Sequence, residues 1–385
     1  MIIGYYEKNF KDLQQAVHRA FLWPLTLIMS ACGGNKTNDL TEVLILGWSP
    51  ATPNMIAASN EIFSQIRKVP DISIEETEAP ANLNNLSISQ SIQTKTAGFS
   101  YFPNNHFQIG SDIYISKDYA DLSILQNDLT DYDYEVLVHE IGHALGLKHP
   151  FEHGRNYFLT LNTYENQSKF TAMSYDTEPS TFNGTFRSLD WMVLTKFYGV
   201  NPEYHPGNDV YKFDDLNGTF IIDGNGEDTI SMLNSTNDIY VDLRPGNHSY
   251  EGEKSSFISS ANQLTISHGS HVENVETGSG NDKIVGNQLL NIITSGAGND
   301  KIFASEGADI IYPGSGNDII DLSEDKHSQD RIKIDSLNNI EHYKTVYGFS
   351  QDVLGDMFDL TDFTFPQLQI LPIFDILSVP TGYRL

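Results

Sequence analysis

At 385 residues the chain is long enough for two domains of ordinary size, each with its own core. Its 23 Lys and Arg stand against 51 Asp and Glu, a formal charge of −28. That balance excludes a basic surface able to displace counterions from nucleic acid or to dock on anionic lipid. Such a chain either repels itself or holds cations, and calcium is the usual cation for clustered carboxylates and carbonyls. A single cysteine, Cys32, excludes an intramolecular disulfide and leaves stability to packing and metals.

In chain order, His18-Arg19 precede an apolar run from Phe21 to Met29 that has the length of a signal h-region and is too short to span a bilayer. Residues 1–31 are read as a signal peptide and 32–50 as a tether or short pro-segment. Met29-Ser30-Ala31-Cys32-Gly33-Gly34 resembles the lipobox of bacterial lipoproteins, which implies a lipid anchor on Cys32. A helix is expected from Thr52-Pro53, with Thr as N-cap and Pro in the first turn, carrying Ile56, Ile62, Phe63 and Ile66 at helical spacing. Ile72-Ser73-Ile74, Leu86-Ser87-Ile88 and Ile113-Tyr114-Ile115 read as strands. Thr130 and Asp133 form a capping-box pair that opens a second helix, and Ser188 through Phe197 read as a third, closed by Gly199. Past Pro206 helical periodicity gives way to Gly, Asn, Asp and Ile at fixed spacing. The pattern predicts an α+β domain over 51–206, an all-β domain over 207–370 and a tail over 371–385.

The chemical signal is His139-Glu140-Ile141-Gly142-His143, continued by Gly146 and His149. Histidines four apart on a helix lie on one face and can share one ion. Gly146 can take the left-handed conformation that stops the helix and brings His149 round as third ligand. Three protein ligands leave a fourth position open, as one catalytic zinc requires, and Glu140 can reach water there without ligating the metal. The remaining histidines show no ligand spacing, and His153, near the motif, reads as a solvated loop residue.

The extended histidine motif is that of the metzincins, and Thr171-Ala172-Met173-Ser174-Tyr175 resembles their methionine turn. The Met-Ser-Tyr form is similar to serralysins. That resemblance implies a bacterial zinc endopeptidase with Met173 beneath the zinc, and with Tyr175 ligating zinc in the free enzyme and swinging away to hydrogen-bond the oxyanion. Glu140 would serve as general base. The strand around Ile113–Ser116 resembles the family's edge strand, which pairs with an extended substrate peptide.

From Thr277 the sequence repeats every nine residues, with Ile284, Ile293, Ile302, Ile311 and Ile320 at one phase and Asp282, Asn291, Asp300, Asp309 and Asp318 at another. This is the nonapeptide pattern of RTX proteins, in which glycine turns and an aspartate bind calcium and a short strand points its Ile into a shared core. Gly278, Gly280 and Asp282, Gly296, Gly298 and Asp300, and Gly314, Gly316 and Asp318 are expected to stack on one side and sandwich two calcium ions. The other side, with Asn291 and Asp309, is expected to bind one at most, and Asp223 to Ile230 resembles an earlier copy.

The predicted fold is therefore an α+β metzincin catalytic domain followed by an all-β parallel RTX β-roll. The expected function is a monomeric, zinc-dependent endopeptidase acting on extracytoplasmic proteins, secreted or held on the bacterial surface as a lipoprotein and stabilised by calcium. One rival is a calcium-dependent adhesion module with a structural or vestigial zinc site. A second is a peptidase dedicated to one partner on the same surface.

Overall fold

A computed structural model of the chain describes residues 29–31, 49–75, 86–93, 95–103, 111–117, 129–152, 160–176, 184–326, 328–334, 343–350, 355–359 and 382–384. They belong to two units, Met1–Asn201 and Pro202–Leu385, which meet a few residues before the change of texture at 206.

In the first unit, helix α1 (Pro53–Ile66) starts where its sequence signals it. The Thr52 side chain accepts the Met55 N–H, and Pro53 occupies the first turn, where its missing N–H costs nothing. Met55, Ala58, Ile62, Phe63 and Ile66 form its buried face, whereas Ile56 is exposed. Helix α2 (Asp131–Ala144) opens with a complete capping box, Thr130 N–H donating to Asp133 Oδ2 at 2.7 Å and Asp133 N–H to Thr130 Oγ1 at 3.3 Å. Helix α3 (Ser188–Tyr198) ends at Gly199, whose φ of 81° needs glycine.

These helices accompany a five-stranded sheet in the order β1 (Met29–Ala31), β4 (Gly98–Tyr101), β5 (Ile113–Ser116), β3 (Ile88–Ser91), β2 (Ser49–Pro50). Two expectations are corrected here. Residues 72–74 form no strand: Ile72 N–H bonds the Pro70 carbonyl, and the Ile74 carbonyl accepts from the Arg67 side chain at 2.7 Å. Ile113–Ser116 is not an edge strand but the centre of the sheet, parallel to β3 and antiparallel to β4. All four of its residues are buried, as suits an apolar strand covered on both faces. The outer neighbour of β4 is β1, paired antiparallel through Ser30 and Ser100. Met29–Ala31, expected at the end of a leader, thus forms an outer strand, while residues 1–28 and Cys32 lie outside the described residues.

Among the described residues the second unit holds two sheets. One has seven strands, all paired in parallel, and includes Asn274–Glu276, Ile292–Thr294, Ile310–Tyr312 and Arg331–Lys333. The other has nine strands and includes Lys283–Val285, Lys301–Phe303, Asp318–Asp321 and Lys344–Tyr347, again parallel. Successive nonapeptides alternate between the two sheets, so residues eighteen apart become neighbours. Val275, Ile293, Ile311 and Ile332 stack in register on one sheet, and Ile284, Ile302, Ile320 and Val346 on the other. All eight are fully buried in a single core. This is the β-roll arrangement that the repeat pattern predicts. Each Ile contributes about 1.5–3 kcal/mol by leaving water, and truncating one leaves a cavity that its stacked neighbours cannot fill. Ile302→Ala is therefore expected to destabilise the second unit by about 2–5 kcal/mol, read as a lowered midpoint in denaturant unfolding with calcium present.

Candidate metal centres

Helix α2 carries His139 and His143 on one face. Its end is a tight reversal in which the Gly146 N–H bonds the His143 carbonyl, the Leu147 N–H bonds the Gly142 carbonyl, and Gly146 sits at φ 102°. The reversal returns His149 to the first two histidines, and all three are buried. His149 Nε2 lies 3.1 Å from His139 Nε2 and 3.0 Å from His143 Nε2.

The opposite nitrogen of each ring fixes its proton. His139 Nδ1 is 2.8 Å from the Ala172 carbonyl, His143 Nδ1 2.7 Å from the Leu147 carbonyl, and His149 Nδ1 2.7 Å from Glu152 Oε1. Each partner is an acceptor, so a neutral ring keeps its hydrogen on Nδ1 and turns a bare Nε2 lone pair inward. Burial holds His139 down to about 3, with His149 adding to the effect, and holds His143 well below the usual histidine range. Facing lone pairs repel unless a cation lies between them. Ligands 2.0–2.1 Å from a tetrahedral zinc are about 3.3 Å apart, close to the separations seen, so this donor set fits zinc.

The bed of this cluster is tied down by Asp190, which is buried in α3. Its carboxylate accepts from Thr171 Oγ1 at 2.6 Å, Ala172 N at 2.7 Å and Arg187 N at 3.0 Å, and these bonds offset the burial that raises its pKa. Asp190 thereby aims the Ala172 carbonyl at His139. Met173 lies against Gly142 so closely that a Cβ there would stand 2.6 Å from the Met173 sulfur. Tyr175 is 44 % exposed, with its ring centroid 4.6 Å from that of His149 and 5.7 Å from that of His139.

Glu140 is also buried, against β4. Ser100 Oγ donates to its Oε2 at 2.8 Å, and a Cβ on Gly98 would lie 2.9 Å from its Cγ. Sequence reasoning missed Ser100, Gly98, Glu152 and Asp190, which act on the histidine motif from 3 to about 50 residues away, and it gave Gly142, inside the motif, no packing role. Only Glu152, three residues past His149, carried a local signal. His153 lies outside the described residues.

In the second unit the expected turns stack. Asp282 N–H donates to Asp300 Oδ1 at 2.8 Å, and Asp300 N–H to Asp318 Oδ1 at 2.9 Å. The glycines are stacked so closely that a Cβ on Gly316 would fall into the Gly298 carbonyl oxygen, and one on Gly298 into that of Gly280. The second oxygens, Oδ2 of Asp282 and Asp300, are buried and have no hydrogen-bond partner. Burial raises Asp300 to about 7. On the other side Asp309 likewise leaves Oδ2 unpartnered, and burial raises it to about 9. Its neighbour Asn291 differs, donating Nδ2 to the Glu273 carbonyl at 2.9 Å and to Asn287 Oδ1 at 3.0 Å. The carboxamide thus supplies internally what the aspartates leave open. The earlier copy brings Asp223 and Asp228 together with Asp209, which sequence reasoning did not include. Burial raises Asp223 to about 6.

Two tests follow from these geometries. Glu152→Ala is expected to weaken zinc binding about 10–100-fold, read by chelator competition. For calcium-free protein the sign of the pH dependence is set by the raised aspartates. Asp300 and Asp309 bind protons more tightly folded than unfolded, so stability falls as pH rises from about 4 through 7 to 9. Thermal unfolding in chelator should therefore improve on acidification from pH 8 to 5, and saturating calcium should abolish that trend.

The model of the RTX calcium-binding nonapeptide repeat (4 copies) matches residues 290–320. Among similar proteins, a serralysin of Proteus mirabilis is 31% identical over 253 residues, 56% of this chain and 50% of that protein. Serralysin C of Dickeya chrysanthemi is 31% identical over 215 residues, 49% of this chain and 43% of its own. Metallopeptidase AprA of Pseudomonas marginalis is 30% identical over 196 residues, 43% of this chain and 40% of its own. The chain spans about half the length, or less, of the curated relatives it matches.

Proposed function

We propose that this chain, a relative of the serralysins that carries RTX calcium-binding repeats, is a zinc-dependent endopeptidase acting on proteins outside the cytoplasm. The observation that carries the reading is the convergence of three buried imidazole Nε2 atoms beside a buried carboxylate, Glu140, that is not among them. A purely structural zinc would leave Glu140 and its Ser100 partner without a role, which weighs against the adhesion-module reading.

In this reading His139, His143 and His149 would hold the zinc, and Met173, which lies against Gly142 between the first two, takes the part of the metzincin methionine. Bound there, zinc would supply a Lewis acid able to acidify water and to polarise a scissile carbonyl. Glu140 accepts a proton from the attacking water and returns it to the leaving amine. The Ser100 hydroxyl, donated to Oε2, holds the carboxylate in one rotamer, and Gly98 leaves the space it stands in. The proton is thereby passed at a fixed position, so little reorganisation is needed during turnover. Tyr175, half exposed and beside the His149 ring, is assigned the hydrogen bond to the developing oxyanion. Protein or peptide substrates follow from this chemistry. Calcium held by the turns at Gly278, Gly280 and Asp282, at Gly296, Gly298 and Asp300, and at Gly314, Gly316 and Asp318, with a further ion at Asp309, would stabilise the β-roll. Among the described residues no helix is long and apolar enough to cross a membrane.

Glu140→Gln keeps size and hydrogen-bonding capacity but cannot take the proton. It is expected to abolish casein hydrolysis while the protein retains zinc, measured by metal analysis beside the activity assay. Undiminished hydrolysis by this variant would overturn the assignment, and a parent that holds zinc without cleaving casein or unfolded peptides would overturn the peptidase reading.

A further inference from the structure

In the column of turns containing Asp282, Asp300 and Asp318, each layer is built from the one before it. The backbone N–H of one aspartate donates to the Oδ1 of the aspartate eighteen residues later, and Oδ2 of Asp282 and of Asp300 remains unpartnered. Above Asp318 the layer changes. The next strand of the sheet is Lys344–Tyr347, and its register sets Lys344 directly opposite Asp318, where another aspartate would stand. Having no carboxylate above it, the Asp318 N–H turns to the Tyr343 carbonyl at 3.2 Å.

The Lys344 side chain points back into the turn. Its Nζ donates to the Gly314 carbonyl at 2.8 Å, to the Gly316 carbonyl at 3.0 Å and to Asp318 Oδ2. These are the second, fourth and sixth positions of the nonapeptide, the oxygens that the pattern offers to calcium. They satisfy all three N–H bonds of an ammonium. Lys344 is only 8 % exposed, so the contact is interior. Asp318 Oδ2, unlike its equivalents in Asp282 and Asp300, has a partner.

We propose that the Lys344 ammonium is a built-in replacement for the terminal calcium ion of this column. The charge balance agrees with the replacement. A divalent ion between two aspartates is neutral in sum, and so is one ammonium against one aspartate. Exchanging the next aspartate for lysine removes a ligand and supplies the cation in one change. The last coil is then closed by a cation that chelators cannot remove, while the layers between Asp282 and Asp318 still take ions. This inference rests on the reading of the glycine-aspartate turns as calcium sites.

The test is calcium stoichiometry on the full chain, by equilibrium dialysis with metal analysis, for the parent and Lys344→Asp. The variant restores the aspartate of the repeat at this layer and frees the Gly314 and Gly316 carbonyls and Asp318 Oδ2, and it is expected to bind one ion more than the parent. Equal stoichiometry beside a calcium-binding parent overturns the replacement alone, whereas a parent that binds no calcium overturns the reading of the turns and the replacement with it. A second measurement needs no variant. In excess calcium the Lys344 amine should stay protected from an acylating reagent while the exposed Lys283 and Lys301 react, read by peptide mass spectrometry. Acylation of Lys344 at the rate of those two would mean that calcium displaces it, and would overturn the proposal.

Discussion

Buried lone pairs that face other lone pairs are the constraint on which both units turn. In the first, three imidazole nitrogens meet because each ring's other nitrogen is held by an oxygen acceptor. In the second, turn aspartates lose solvent on one oxygen while the other ties successive layers together. An isolated buried acceptor costs kilocalories, and several pointing at one place cost more unless a cation shares them. A cation bound at either place would therefore be coupled to folding, and the strongly negative composition suits the second of these couplings.

The cation need not be a metal. Lys344 offers an ammonium to the oxygens of its turn, and Asn291 offers a carboxamide donor where an aspartate would leave an oxygen open. A nonapeptide array can in this way shed ions position by position while keeping its hydrophobic column. The column itself, Ile284 to Val346 on one sheet and Val275 to Ile332 on the other, stays fully buried beside turns that are neutralised in different ways.

Support for the histidine cluster comes from far along the chain. Asp190, in α3, orients the Ala172 carbonyl that fixes the His139 proton, and its N-cap neighbour Arg187 pairs with Glu135 on α2 at 2.6 Å. A buried charge pair of this kind is costly to break on one side only, about 3–5 kcal/mol, because the remaining charge has nowhere to go. Helix α3 thus acts on the site through hydrogen bonds rather than by contributing a ligand.

Elements with a local cause were legible in the sequence. Thr52-Pro53 and the Thr130–Asp133 box opened their helices as read, Gly146 reversed the chain, and the nine-residue Ile period specified a stacked core, because capping, glycine conformation and side-chain alternation act over a few residues. What depends on sheet order was not legible. The central place of Ile113–Ser116, the pairing of Met29–Ala31 with β4, and the meeting of Ser100 and Gly98 with Glu140 required strands distant in sequence to choose neighbours. The same holds for Lys344. Its residue type marks nothing, and only the register that sets it against Asp318, 26 residues earlier, turns an ordinary lysine into the cation of a calcium turn.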